Sequence, residues 1–221
     1  RLASRKLTME FRDHPGGTTL RARTDRVDLH LDAANSGDCL AVVVPWNDTR
    51  FQYTVKDLAR PVTGSLTVDG ITYEIEPGTT FAALDRGRGR WPYSKTWNWA
   101  TACGVVDGQT IGLQLGGKWT DGTGSTENAI TVDGTLTYWP DPVEWDYDTH
   151  DWYRPWRITG EHVDATMTPF HVRMATTNVG VIASAVQQAF GTWSGTAVDG
   201  SGREHVLNGL VGWAEQAKNR W

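Results

Sequence analysis

The residues best suited to chemistry lie between positions 85 and 128. In Leu84-Asp85-Arg86-Gly87-Arg88-Gly89-Arg90 a carboxyl follows the apolar run Phe81-Ala82-Ala83-Leu84 and precedes two glycines that let the backbone bend sharply. A carboxyl at the edge of an aromatic cavity loses hydration, so its pKa rises and it can hold a proton near neutral pH, as a general acid must. The competing structural reading is an ion pair from Asp85 to Arg88 or Arg90 that holds the turn. A second constellation, Gly116-Gly117-Lys118-Trp119-Thr120-Asp121-Gly122-Thr123-Gly124-Ser125-Thr126-Glu127-Asn128, is dense in groups able to orient a polar atom, namely Lys118, Asp121, Thr126, Glu127 and Asn128. Long glycine-rich loops between strands often carry function, although a solvated hairpin loop has the same composition.

Tryptophans surround both segments. Of the 12 in the chain, Trp91, Trp97, Trp99 and Trp119 cluster together, and Trp139, Trp145, Trp152 and Trp156 follow. Burying one Trp removes ~150–250 Å² from water, worth roughly 4–6 kcal/mol as an upper bound. Such rings therefore line a core, an interface or a ligand cavity. If Trp91-Pro92-Tyr93-Ser94-Lys95-Thr96-Trp97-Asn98-Trp99 is a strand beyond Pro92, then Tyr93, Lys95, Trp97 and Trp99 share one face, and Ser94, Thr96 and Asn98 the other. Core packing with Lys95 snorkelling outward and an aromatic pocket wall both fit this pattern.

Other chemistries find less support. Gly112 to Lys118 satisfies the G-x-x-x-x-G-K spacing of a phosphate loop. Trp119 then stands where Ser or Thr should hold the metal, and no helix follows, so nucleotide binding is rejected. The acidic stretch Asp141, Glu144, Asp146, Asp148 and Asp151 lacks the central glycine of a calcium loop. The six histidines are scattered without ligand spacing, so neither a metal nor another cofactor is expected. No G-x-S-x-G nucleophile elbow occurs. Asn47-Asp48-Thr49 matches a glycosylation sequon by chance.

The elements that must position these groups are strands. Apolar residues alternate with period two in Val27-Asp28-Leu29-His30-Leu31, Ile111-Gly112-Leu113-Gln114-Leu115 and Ile130-Thr131-Val132. Asp-Gly at 69–70, 107–108, 133–134 and 199–200 marks hairpins, because a type I′ turn needs positive φ at both central residues. A short C-terminal helix is expected over Leu210 to Trp221, where Leu210, Trp213, Ala214 and Ala217 would share a face. Val179 to Phe190 fits a helix by composition, but Val179, Val181, Val186 and the following Gly191-Thr192-Trp193-Ser194-Gly195 lean towards strand. A meander of antiparallel strands must close or stack to hide its edges, which predicts an all-β barrel, with a β-sandwich as the alternative.

With 221 residues and 39% hydrophobic content the chain can bury a sizeable core as one large all-β unit or two small ones. A net charge of −5 without a basic run disfavours nucleic acid and anionic membranes. The longest apolar stretch, Cys39 to Pro45, is far short of the ~20 residues of a membrane span. Cys39 and Cys103 read as free thiols of a reducing compartment, or as one bridge. With no signal peptide at its start the chain is expected to be cytoplasmic. It opens on Arg1 rather than Met, with strand-like sequence almost at once, which points to a preceding N-terminal segment.

Several stretches together resemble a bacterial family of unknown function, domain two-eight-zero-four. They are Val44-Pro45-Trp46-Asn47-Asp48-Thr49-Arg50-Phe51-Gln52-Tyr53-Thr54, Asp85 to Tyr93, Trp97-Asn98-Trp99, Gly116 to Gly124, Thr126-Glu127-Asn128, Tyr147-Asp148 through Arg154-Pro155-Trp156-Arg157, and Gly212-Trp213-Ala214-Glu215. Arg86 departs from the family, which often has Trp there. Members are longer at the N-terminus, so the resemblance implies that this chain is a C-terminal portion. More distantly the family is similar to lipocalin-like two-domain proteins that include carotenoid hydratases and some cyclases. That similarity implies lipocalin-like antiparallel β-barrels and a pocket for a hydrophobic small molecule, with residues 1–80 as strands of a first, incomplete barrel and 81–221 as a C-terminal barrel.

The reading that follows is a cofactor-independent hydratase, isomerase or cyclase acting on a terpenoid- or lipid-like molecule. Asp85 is the expected general acid, and Glu127 or Asp121 the base or water-positioning partner. The expected substrate-binding residues are Tyr93, Trp97, Asn98, Trp99, Lys118, Trp119 and Trp156. A non-catalytic carrier of hydrophobic ligands is the alternative, and a carbohydrate-binding module a more remote one. Association with a preceding segment or as a homo-oligomer is the partner expectation beyond the small molecule.

Overall fold

The computed structural model describes residues 2–4 and 6–221, and every regular element among them is a strand. The first sheet comprises β1 (Leu2–Ala3), β2 (Thr8–His14), β3 (Gly17–Arg23), β4 (Val27–Ala34), β5 (Leu40–Asn47), β6 (Arg50–Val68), β7 (Ile71–Ile75) and β8 (Phe81–Arg90). The second comprises β9 (Ser94–Val106), β10 (Gln109–Gly117), β11 (Asn128–Val132), β12 (Thr135–Trp139), β13 (Glu144–Asp146), β14 (Trp156–Gly160), β15 (Val163–Asn178), β16 (Ala183–Val198), β17 (Glu204–Val206) and β18 (Val211–Arg220). Both sheets are antiparallel and curl in a lipocalin-like manner. The order of the second is β12-β11-β10-β9-β18-β16-β15-β14-β13, with β17 beside β16.

Three of the four Asp-Gly pairs form the expected tight turns. Asp69, Asp107 and Asp133 have φ of 50°, 51° and 48°, and the glycine after each is also left-handed. The fourth pair opens a longer loop between β16 and β17, where Gly202 takes the positive φ. There Asp199 accepts hydrogen bonds from Ser201 and lies 2.7 Å from His205 Nε2, contacts that hold its carboxyl below the usual range.

β6 organises the first sheet. Its first half pairs with β5 and β8, and its second half with β4 and β7. Between the halves the register breaks at Asp57/Arg60, and Ala59 takes φ of 49°. Such a bulge bends the strand and increases its twist. The Arg60 guanidinium is buried at the bend, donating to the Ala33 and Ala34 carbonyls and lying 3.4 Å from Asp57. Leu58 and Ala59 at the bulge face Gly112 of β10, which brings the two sheets together.

The second sheet wraps one face around a continuous apolar core that includes Ala100, Leu113, Leu115, Trp156, Met167, Trp193 and Ala214. Tyr147 stacks on Trp156 with centroids 4.1 Å apart and planes 4° apart. The sheet's other face, carrying Trp97, Trp99, Thr101 and Glu215, looks towards the first sheet.

The expected C-terminal helix is not formed. Residues 211–220 are β18, hydrogen-bonded to β9 on one side and β16 on the other. Two ladder partners along its whole length outweigh the weak helical propensity of so short a segment. Its alternation sends Ala214 into the apolar core and Trp213 and Glu215 to the opposite face. Val179 to Phe190 contributes the turn and first half of β16, so the strand lean of its valines holds over the helix its composition allowed. Cys39 and Cys103 are both free thiols. No helix among the described residues is long and apolar enough to cross a membrane.

The turn between β11 and β12 also joins the sheets. Gly134 is left-handed at φ 81°, its carbonyl accepts from Asp38 N at 2.8 Å, and a Cβ there would overlap the Ser36 carbonyl. Gly134→Ala is therefore expected to lower the unfolding free energy by about 2 kcal/mol or more, from backbone strain plus collision. Gly202→Ala, at φ 84° with open space around it, should cost only about 1 kcal/mol. Urea unfolding of the two variants checks the difference.

Candidate functional site

Between the sheets lies a cavity of about 350 Å³ that opens on one side to solvent. The first sheet contributes Gln52, Thr54 and Lys56, alternate residues on one face of β6, and Asp85, Arg86 and Gly87 of β8. Lys56 and Asp85 are cross-strand partners, so sheet register alone sets them side by side. The second sheet contributes Trp97 and Trp99 of β9, Glu215 of β18, and Trp119 and Glu127 from the loop between β10 and β11; Trp91 comes from the link between the sheets. Trp99 and Glu215 are likewise in register.

Lys56 is the centre of the charge arrangement. Its side chain is only 6% exposed, and its ammonium lies 3.0 Å from Asp85 Oδ2, 3.4 Å from Glu127 Oε2 and 4.2 Å from the centroid of the Trp99 ring. Asp85 is 39% exposed at the mouth and also accepts from Thr54 Oγ1 at 3.2 Å. Glu127 is 2% exposed. Burial pushes its carboxyl above the usual range, opposed by Lys56 and by the indole N–H of Trp119 and reinforced by the charge of Asp85. Glu215 is also pushed up by burial, against the hydrogen bond that Trp97 donates.

Hydrogen bonding distinguishes the two buried carboxyls. Glu215 accepts from Trp97 Nε1 at one oxygen and from Gln188 Nε2 at the other, each at 3.0 Å. Both oxygens are occupied as acceptors, which suits the ionised form. Glu127 accepts from Trp119 at Oε1, while Oε2 is buried without a hydrogen-bond partner among the described residues. That second oxygen faces the Lys56 ammonium at 3.4 Å. Gly116 makes the position possible, because a Cβ there would overlap the Glu127 side chain. Asn128 anchors the loop by accepting from the Gly116 amide at 2.9 Å.

Indole rings form the rest of the wall and its rim. Trp91 stacks on Trp119 at 5.5 Å and 17°, and meets Trp46, Trp97 and Trp221 at 4.8, 5.7 and 5.7 Å. Their polar ends are tied down: Trp91 donates to Gln52 Oε1, Trp99 to Gln114 Oε1 and Trp46 to the Trp119 carbonyl, all at 2.7–2.8 Å. These three indoles are thus fixed in place by their N–H groups, and Trp91, Trp97, Trp99 and Trp119 supply the apolar part of the lining.

Of the residues singled out in the sequence, Asp85, Glu127, Trp97, Trp99 and Trp119 meet in this cavity. The others sit elsewhere. Tyr93 is 54% exposed and donates to the Val181 carbonyl. Asp121 is exposed in the β10–β11 loop. Asn98 points to the opposite face of β9, where it donates to Tyr147, and Lys118 reaches the same hydroxyl at 2.6 Å. Trp156 lies in the solid core. Lys56 and Glu215 went unrecognised in the sequence. A lone Lys within Tyr53-Thr54-Val55-Lys56-Asp57-Leu58 was the available signal for the first, and the expected helix hid the second. Elsewhere, Asp141, Glu161 and His162 bring ligand atoms within 4.8 Å of one another, but none of the three lines the cavity.

A raised carboxyl carries a stability signature of definite sign. Between the ordinary glutamate value of 4.5 and the raised native value, the unfolded chain has released the Glu127 proton while the native protein retains it. The native state binds more protons there, so stability falls as pH rises towards the folded value. In urea unfolding from pH 5 to 9, Glu127→Gln is expected to gain stability relative to the unsubstituted protein as pH rises. Parallel profiles would show that Glu127 is not held in its acid form.

Comparison with known proteins follows the fold. The structure resembles that of a candidate AttH protein from Nitrosomonas europaea, with a TM-score of 0.59 and 14% identity over 95% of this chain and 67% of that one. It also resembles kievitone hydratase from Nectria haematococca, with a TM-score of 0.50 and 12% identity over 92% of this chain and 64% of that one. The chain thus spans about two-thirds of the length of each. At these identities the likeness is one of fold. No curated protein matches the chain. The family model named "Domain of unknown function (DUF2804)" matches residues 1–221, and the chain belongs to that family.

Proposed function

We propose that this protein is a cofactor-independent acid–base enzyme of the hydratase, isomerase or cyclase type, acting on a hydrophobic small molecule held between its two sheets. The observation that carries the reading is Glu127, a buried carboxyl whose Oε2 accepts no hydrogen bond among the described residues and has the Lys56 ammonium 3.4 Å away, near Asp85 and walled by indole rings. The volume of about 350 Å³ is at the lower end of the ~300–1,000 Å³ of small-molecule sites. One of the two similar solved structures is named a hydratase, and water addition is among the reactions this site suits.

The geometry supports Glu127 rather than Asp85 as the acid. Asp85 is half-exposed and paired with Lys56, which suits a carboxylate that holds water at the mouth. In a hydration, the proton on Glu127 Oε2 passes to an alkene carbon as the π bond breaks. Positive charge develops on the neighbouring carbon and meets the faces of the Trp97 and Trp99 rings. Water attacks that carbon and gives a proton to Asp85, and transfer through the Lys56 ammonium, which touches both carboxyls, returns a proton to Glu127. Isomerisation differs in that Asp85 takes the proton from carbon instead of water, and cyclisation in that a second alkene is the nucleophile. Each transfer from Glu127 leaves the site more negative by one charge as the carbocation forms, which stabilises the transition state more than the ground state.

Incubation in D₂O with terpenoid alkenes (geraniol, farnesol, squalene) and mass spectrometry of the products tests this. Deuterium incorporation or water addition is expected, falling about 10²–10⁴-fold in Glu127→Gln and in Asp85→Asn while ligand binding persists. Turnover unchanged in Glu127→Gln would remove that residue from the mechanism. Ligands that bind and are recovered without deuterium would leave a carrier in place of an enzyme.

A further inference from the structure

A second cavity, of about 580 Å³, lies farther along the same junction of the sheets. The strands that build the first cavity continue into it. Phe81 and Ala83 precede Asp85 on one face of β8, Thr101 and Cys103 follow Trp99 on one face of β9, and Trp213 precedes Glu215 on β18. Phe190 of β16 completes the apolar side. Trp99 and Trp213 meet edge to face at 5.3 Å, so the two indoles stand where one cavity gives way to the other.

Two polar atoms in this wall are buried without hydrogen-bond partners among the described residues: the hydroxyl of Thr101, a residue 1% exposed, and the indole N–H of Trp213. Thr101 and Trp213 are cross-strand partners in β9 and β18, so their side chains are neighbours on one face. Leaving such groups unpaired costs free energy that a ligand oxygen would recover. Phe81, Ala83, Val105, Phe190 and Val211 make much of the remaining lining apolar, Thr79 and Thr80 add hydroxyls, and burial pushes the Cys103 thiol up to about 11, so the cavity offers a guest no charge from that side chain.

We infer that this second cavity is a binding subsite for an apolar chain or ring system bearing an oxygen acceptor, which takes hydrogen bonds from Trp213 Nε1 and Thr101 Oγ1. The proposal concerns binding and stands apart from the acid–base chemistry of the first cavity.

Cys103 provides the reporter. In Cys39→Ser protein it is the remaining thiol, and labelling by N-ethylmaleimide at pH 8.5 is followed by intact mass. 2-Undecanone is expected to protect Cys103 at about three- to tenfold lower concentration than n-undecane, the worth of one net hydrogen bond. Thr101→Val and Trp213→Phe, which keep shape and remove the donors, should abolish that preference, while circular dichroism and the urea midpoint report an intact fold. Equal protection by both compounds, no protection by either, or an undiminished preference in both variants would overturn the subsite. Glu127→Gln should leave protection unchanged, so failure of the catalytic reading and failure of this one are separable.

Discussion

One ammonium and three carboxyl groups share a space between two sheets from which most water is excluded. Moving an ion into such surroundings costs several kcal/mol. Lys56 recovers part of that cost from Asp85 at 3.0 Å, since unit charges about 4 Å apart attract by roughly 4 kcal/mol at an effective dielectric constant near 20. A further buried carboxylate must draw on the same ammonium while repelling Asp85. Glu127 has one indole donor and the Lys56 ammonium at 3.4 Å, Glu215 has a donor on each oxygen, and burial raises both carboxyls above the usual range.

The fold makes this arrangement affordable by dividing labour. The apolar face of the second sheet is filled by Trp156, Trp193 and their neighbours, and that packing supplies stability without needing to open. The opposite face lines the cavity, where β6 and β8 bring Lys56 and Asp85, β9 brings Trp97 and Trp99, and β18 brings Glu215. The Asp57/Arg60 bulge, the glycine at 112 and the left-handed turn at 133–134 are the local devices that let the two sheets approach each other.

Much of this was legible in the sequence. Period-two alternation and Asp-Gly turns marked the strands, and the spacing of Trp97 and Trp99 identified a face that does line a cavity. Asp85 and Glu127 were recognisable as carboxyls beside aromatics, although nothing local distinguished the half-exposed one from the buried one. That difference arises from the packing of one sheet on another, across sequence separations that no motif spans. Lys56 was hidden for the same reason: a lysine in an alternating strand ordinarily faces solvent, and only the second sheet turns its position into an interior one. Glu215 was obscured because Ala214 and Ala217 fit a helix as readily as a central strand. Trp156 and Asn98 illustrate the converse, since aromatic and polar composition cannot tell a filled core from a hollow.

Burial pushes the Glu127 carboxyl above the ordinary glutamate range, and the proposed acid role requires that it carry a proton at neutral pH. Infrared difference spectroscopy of the carboxyl C=O stretch, comparing the unsubstituted protein with Glu127→Gln at pH 7, measures this directly. A protonated-carboxyl band present in the first and missing in the second is the predicted result. A Glu127 signal that is wholly carboxylate at pH 7 would contradict the account.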